Sequence, residues 1–133
     1  MLTLSGHTST VSCVAAAIDG HVLTGSWDNT VKVWRGDELV RTIEAHTNWV
    51  QAVAVLPGGA RFISGSLDGT AKLFTFGGEL ERTFELGSHV NCVAALPDGV
   101  HFVVGLLSWP GPYEVQLYNV DGVRETTCEC EPY

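Results

Sequence analysis

A nine-residue string in this chain returns after forty residues. Ser26-Trp27-Asp28-Asn29-Thr30-Val31-Lys32-Val33-Trp34 is answered by Ser66-Leu67-Asp68-Gly69-Thr70-Ala71-Lys72-Leu73-Phe74. Its flanks return with it. His7-Thr8-Ser9-Thr10-Val11 matches His46-Thr47-Asn48-Trp49-Val50 at an offset of 39, and Leu39-Val40-Arg41-Thr42-Ile43 matches Leu80-Glu81-Arg82-Thr83-Phe84 at 41. A third copy is more worn. Val90-Asn91-Cys92-Val93-Ala94 follows Val50-Gln51-Ala52-Val53-Ala54, Leu96-Pro97-Asp98-Gly99 follows Leu56-Pro57-Gly58-Gly59, and Phe102-Val103-Val104-Gly105 follows Phe62-Ile63-Ser64-Gly65. The offset then jumps to 44, where Val115-Gln116-Leu117-Tyr118 answers Ala71-Lys72-Leu73-Phe74. A fixed period of this length marks an array of small units, each burying its faces against its neighbours.

Each copy carries four short runs of β-type composition. They span 11–16, 21–26, 30–34 and 38–44, then 49–56, 61–66, 70–76 and 79–85, then 90–96, 100–105, 114–119 and 122–128. Turn dipeptides separate them: Asp19-Gly20, Gly58-Gly59, Gly77-Gly78, Asp98-Gly99 and Asp121-Gly122. Such pairs supply the left-handed backbone that tight turns need, which explains the 15 glycines. Ser108-Trp109-Pro110-Gly111-Pro112 reads as a lengthened turn, since proline cannot continue a strand ladder. No useful stretch has the 3.6-residue period of an amphipathic helix.

Composition narrows the partners. Hydrophobic residues make up 45% of the 133 residues, too many for a disordered chain. Seven Lys and Arg against 15 Asp and Glu give a net charge of −8. Nucleic acid and anionic membrane surfaces both call for a basic face, so neither is expected as a partner. No apolar run is long enough to span a membrane, and no basic start with an apolar core marks a signal peptide. Cys13 and Cys92 sit in apolar strand patterns, where a free thiol acts as a small core residue. A reducing, intracellular (cytoplasmic) setting fits them. Cys128 and Cys130 could take a soft metal or a labile disulfide, but two thiols without a nearby His fall short of a zinc site. No metal and no cofactor are expected. His21 and His101 align with Arg61 and read as exposed strand residues.

Four strands every forty residues, with Gly6-His7 and Trp27-Asp28…Trp34, resemble the WD40-repeat family of β-propellers. The string Leu23-Thr24-Gly25-Ser26-Trp27-Asp28 with Lys32-Val33-Trp34 also looks like the propeller of ubiquitin-binding WD-repeat adaptors. The resemblance implies an all-β fold of three four-stranded antiparallel blades, near 5–45, 46–86 and 87–130, in one segment covering 1–133. It also implies a bonded tetrad in each blade: a His before the first strand, a Ser or Thr on the second, an Asp in the following turn and a Trp on the third. The matching residues are His7, Thr24, Asp28 and Trp34 in the first copy, and His46, Ser64, Asp68 and Phe74 in the second. Phe74 has no indole N–H, so one donor is lost. The third copy has Gly87, Val104 and Tyr118 at these places, and no Asp can be placed, so packing alone is expected to hold that blade. A His, a Thr and an Asp could suggest a catalytic triad, but the set recurs at the repeat period, as bracing would.

Three blades fall short of the usual minimum of about four for a closed ring. An arc leaves two apolar flanks bare. Head-to-tail association closes it: two chains give six blades, the favoured count, and three give nine. Otherwise the chain is a fragment of a longer propeller, or a partner supplies the missing blades. Met1 and the run 122–128 round off whole blades, favouring a self-sufficient unit. Residues 1–4 read as a remnant of an outer strand that could pair with a neighbouring chain.

The resemblance implies a non-enzymatic protein-interaction scaffold that binds partners on its top face. The matching positions are Thr10, Trp27, Trp49 and Leu67, with Trp109 in the lengthened loop. Exposed Trp and Leu at repeated loop positions suit hot-spot anchoring, although a Trp in these places can equally pack within its blade. The alternative is a purely structural oligomerising unit without a ligand of its own. An enzyme is the least supported class, because no convergent polar set is placed at the ring centre.

Overall fold

The computed structural model describes residues 3–58, 60–108 and 113–129. Twelve strands follow in chain order and join into three four-stranded antiparallel sheets. The first blade holds β1 (Val11–Ala16), β2 (His21–Ser26), β3 (Thr30–Arg35) and β4 (Glu38–Glu44). The second holds β5 (Val50–Leu56), β6 (Arg61–Ser66), β7 (Thr70–Thr75) and β8 (Leu80–Glu85). The third holds β9 (His89–Ala95), β10 (His101–Leu107), β11 (Tyr113–Asn119) and β12 (Arg124–Glu129). No helix occurs among the described residues, so none is long and apolar enough to cross a membrane.

Most strand bounds fall within one or two residues of the sequence expectation, and two differences carry a physical reason or a correction. The last strand starts at Arg124 rather than 122, because Gly122 occupies a turn at φ +98° with its N–H bonded to the Asn119 carbonyl at 3.0 Å. Of the expected outer-strand remnant at 1–4, residues 3 and 4 form no strand and residues 1 and 2 lie outside the described residues.

The core lies between blades, not within them. Strand residues alternate faces, and the middle blade is covered on both sides, so both of its faces are apolar. Phe62, Phe74 and Phe76 pack towards Leu23, Val31, Val33 and Ile43 of the first blade. Ile63, Ala71, Leu73 and Phe84 pack towards Phe102, Val104 and Leu106 of the third. Aromatic rings mesh at this second seam, with Phe84 edge-on to Phe102 at 5.0 Å. Each fully buried side chain of this size contributes roughly 1.5–3 kcal/mol.

The seams share one device. In each first strand the pairing slips between the opening Val and the residue two along: Val11 and Cys13, Val50 and Ala52, and the Gly105/Leu106 step opposite Cys92 and Val90. Such a bulge re-aims a side chain. It turns Val50 onto Gly25 and Val90 onto Gly65 of the preceding blade. A Cβ at Gly25 would lie 2.7 Å from Val50, and one at Gly65 would lie 2.5 Å from Val90, so only glycine fits there. β1 therefore rests on β5, and β5 on β9. The blades form an arc, and among the described residues no closed ring results.

Candidate functional site

The structure brings His7, Thr24, Asp28 and Trp34 together. Trp34 Nε1 donates to Thr24 Oγ1 at 2.9 Å. The Thr24 hydroxyl is then left to donate to His7 Nε2, 2.7 Å away. His7 Nδ1 donates to Asp28 Oδ2 at 2.8 Å, since a carboxylate only accepts. The same oxygen accepts the Thr8 amide at 3.0 Å, and Asp28 Oδ1 accepts both the amide and the hydroxyl of Thr30. Burial opposes ionisation of Asp28. The hydrogen bonds from Thr30, His7 and the Thr8 amide outweigh it and hold the carboxyl well below the ordinary carboxylate range.

The second blade repeats the arrangement with one bond fewer. His46 Nδ1 donates to Asp68 Oδ2 at 2.9 Å, and Ser64 Oγ lies 2.8 Å from His46 Nε2. Phe74 gives Ser64 no donor. Burial pushes His46 down despite the neighbouring Asp68, which leaves it a neutral imidazole at neutral pH. Neither set offers a reactive centre. Thr24 and Ser64 are buried and already engaged, so no nucleophile faces solvent. Their chemistry is limited to fixing the loop before the first strand onto the turn after the second.

Sequence reasoning missed four members of these networks. Ser26 and Ser66 accept the amides of Asp28 and Asp68 at 3.0 Å, and Thr30 and Thr70 bond the same carboxylates. The signal was present: Ser-x-Asp-x-Thr recurs at the forty-residue offset. The turn ends in the left-handed region, at Asn29 (φ 76°) in the first blade and Gly69 (φ 88°) in the second.

The third blade has no such set, but packing is not its sole support. Val104 joins the seam core, and Gly87 adopts φ 74°. On β11, Tyr118 Oη donates to Gln116 Oε1 at 2.8 Å, and Gln116 Nε2 donates to Glu114 Oε1 at 2.7 Å. His101 is not a bare strand residue either. Its Nδ1 lies 2.5 Å from Asp98 and its Nε2 lies 2.7 Å from Glu125, which ties the β9–β10 turn to β12. The sequence signal is the Asp98-Gly99 turn just before His101, which parallels Asp19-Gly20-His21, where Asp19 also bonds the His ring.

The four described top-face candidates gather at one end of the strands of the first two blades. The Trp27 amide donates to the Thr10 carbonyl at 2.9 Å, and the Leu67 amide to the Trp49 carbonyl at 3.0 Å. Trp27 and Trp49 stack across the seam with ring centres 3.7 Å apart and planes within 8°. Trp27 Nε1 donates to Gln51 Oε1 at 3.1 Å, a partner that sequence reasoning did not single out. Trp27 is thus the inner, half-buried ring, and Trp49 the outer one, 39% exposed. Leu67 is half-buried and Thr10 exposed. Trp109 lies outside the described residues, as do Cys130 and the side chain of Cys128. Among the described residues no three His, Cys, Asp or Glu side chains converge on a metal position.

Residues 1–35 and 37–75 each match the family model described as WD domain, G-beta repeat. The chain is 44% identical to the phospholipase A-2-activating protein of Xenopus laevis over 43% of its length. It is 42% identical to the small ribosomal subunit protein RACK1y of Oryza sativa over 52% of its length, and 41% identical to the ubiquitin homeostasis protein lub1 of Schizosaccharomyces pombe over 65%. The matches cover 7%, 22% and 17% of those relatives, so the chain spans a small part of each.

Proposed function

The chain belongs to the WD40-repeat family, and from that premise we propose that it is a protein-interaction scaffold that binds through the end carrying Thr10, Trp27, Trp49 and Leu67. WD40 repeats serve as platforms for protein partners, generally without catalysis of their own. The stacked Trp27–Trp49 pair carries the reading. A rigid aromatic surface loses little conformational freedom on binding, which suits an anchor. Trp27, pinned by Gln51, supports Trp49 from below and leaves its outer face open. The tetrads hold the loops that carry both rings, so we assign them a bracing role. An intracellular setting agrees with the unpaired thiols of Cys13 and Cys92.

Ubiquitin is the first partner to test, because one relative is named for ubiquitin homeostasis. Titrating ubiquitin into isotope-labelled chain should shift the indole signals of Trp27 and Trp49 first. Trp49→Ala should weaken binding at least tenfold, within the range of an interface hot spot. Absence of any shift, or shifts confined to the opposite end, would overturn this assignment.

A second reading rests on the two bare flanks of the arc. As a structural unit the chain would associate head to tail, two copies giving six blades or three giving nine, with no outside ligand. Under that reading Trp49→Ala costs no partner binding and at most weakens assembly.

A further inference from the structure

We propose that the open face of Trp49 receives an arginine side chain, so that the partner docking on this end of the blades presents a basic surface. This inference deepens the platform reading and rests on it.

Trp49 has one ring face to offer. Trp27 covers the other at 3.7 Å, with the planes within 8°. Two hydrogen bonds hold the pair: Trp27 Nε1 donates to Gln51 Oε1 at 3.1 Å, and the Trp49 amide donates to Asn48 Oδ1 at 2.8 Å. The stack spans the seam between the first two blades, so both of its supports belong to this chain. Trp49 stays 39% exposed although the next residue, Val50, is fully buried. The face of an aromatic ring carries the negative part of its quadrupole, and indole attracts a cation there more strongly than Tyr or Phe.

The surrounding charges favour the same occupant. The loops at this end are residues 5–10, 26–30, 44–49, 66–70 and 85–89. They hold Asp28, Glu44, Asp68 and Glu85, and no Lys or Arg. Burial opposes ionisation of Asp28 and Asp68, yet the hydroxyls of Thr30 and Thr70, and then the rings of His7 and His46, hold both carboxyls down. His46 adds no compensating charge at neutral pH, because burial keeps it neutral. Glu44 and Glu85 are exposed at the ends of β4 and β8.

The chain's seven Lys and Arg are placed elsewhere. Arg35, Arg61 and Arg124 stand at the opposite ends of their blades. Arg41 and Arg82 lie against Gly78 and Gly122, in turns at that opposite end. Lys32 Nζ donates to Thr42 Oγ1 at 2.8 Å, and Lys72 Nζ to the Ala45 carbonyl at 3.0 Å. A flat aromatic face among unneutralised carboxylates favours a cation over an apolar side chain. Guanidinium suits it better than ammonium, because it is planar, weakly hydrated and able to lie flat on the ring.

The test compares two capped pentapeptides, one with a central arginine between glycines and one with citrulline, its neutral isostere. Each is titrated into the isotope-labelled chain and followed at the indole signals. The arginine peptide should shift Trp49 first and bind about fivefold more tightly than the citrulline peptide. Raising salt from about 20 to about 300 mM should shrink that ratio, since the carboxylate field is screened. Trp49→Leu keeps an apolar side chain and should remove the ratio, read at the Trp27 indole, with an unchanged circular dichroism spectrum. The comparison on the unaltered chain does not depend on that variant.

Equal affinity for the two peptides would overturn the proposal. So would an arginine preference that survives Trp49→Leu, which would be a general attraction of cations to an acidic chain. The two readings fail apart. Ubiquitin that moves Trp49 while the peptides bind alike removes this inference and leaves the platform standing. Ubiquitin that moves only the opposite end removes the platform and takes this inference with it.

Discussion

The first and third blades share strand order and first-strand bulge, yet their side chains are tied together in different ways. In the first, a relay runs from Trp34 through Thr24 and His7 to Asp28, linking strand, loop and turn. In the third, Tyr118, Gln116 and Glu114 bond along a single strand, and His101 ties a turn to the outermost one. A relay across elements resists their separation, whereas a ladder along one strand stiffens only that strand. The second blade stands between, with the relay present but its Trp replaced by Phe74. The comparison teaches that the repeat tolerates loss of its polar brace where the seam core is aromatic, as around Phe84, Phe102 and Tyr118.

The strongest way to break the comparison is to remove the carboxylate at the end of the relay. Asp28 accepts from His7, the Thr8 amide, and both the amide and hydroxyl of Thr30. Orphaning one buried donor costs about 1–3 kcal/mol, so Asp28→Ala should destabilise the fold by roughly 3 kcal/mol. Asp68→Ala should cost nearly as much, as it holds the same four bonds. Urea unfolding of both variants checks this. A loss below about 1 kcal/mol, the worth of one ordinary hydrogen bond, would mean the relay is not a brace.

Exchanging the aromatic residues gives the next largest effect. Trp34→Phe removes one donor to a buried hydroxyl and should cost roughly 1–2 kcal/mol. Phe74→Trp should restore the missing donor to Ser64 and gain up to about 1 kcal/mol. Space exists for the larger ring, since Phe74 borders an open cleft of about 340 Å³ with Lys72, Gly78 and Leu80. If both variants lose stability equally, the second blade is packed around Phe and the relay is not what separates the two.

Tyr118→Phe tests the ladder and should matter less. The ring keeps its stacking on Phe102, and only the bond to Gln116 is lost, about 0.5–1.5 kcal/mol. Faster hydrogen exchange should be confined to β11 and β12. A global change would show that the ladder braces more than its own strand.

These contrasts explain what could be read in advance. The three-blade, all-β architecture was legible because repeat strings, turn dipeptides and strand alternation point the same way. The tetrad residues were nameable because the resemblance to the WD40 family implies such a set and the recurring strings place it on this chain. Ser26 and Thr30 were overlooked although they recur too, since a Ser or Thr beside a turn is common enough to pass unremarked. Gln51 and the Trp27–Trp49 stack were not legible, because they join neighbouring blades across a seam whose geometry no local pattern encodes. The polar links of the third blade were hidden for a different reason. Where the repeat is worn, alignment reports only what is missing, and substitutes such as Tyr118–Gln116 stand at other positions.

The smallest effect distinguishes the second and third blades by sign. His46 is pushed down by burial, against the pull of Asp68. A histidine lowered on folding contributes stability that is full above its ordinary pKa of about 6.5 and is eroded as pH falls below that value, because the unfolded chain takes up the proton first. His101 is pushed up, chiefly by its hydrogen bond to Asp98 and further by Glu125. Its contribution is full below about 6.5 and is lost as pH rises through the raised folded value. Asp98 is held down by the Val100 amide and by His101, so its own contribution is lost only in acid, below about 3.9. Acidification from pH about 8 to about 5.5 should therefore loosen β6 and tighten the junction of β10 with β12, the latter by a small amount since His101 is solvent-accessible. Amide exchange at Ile63 and Val103, corrected for intrinsic rates, separates the two. Replacing His101 with Gln should remove the change at Val103 and leave that at Ile63. If both amides move in the same direction, a property common to the two blades governs the response and the local pairs do not.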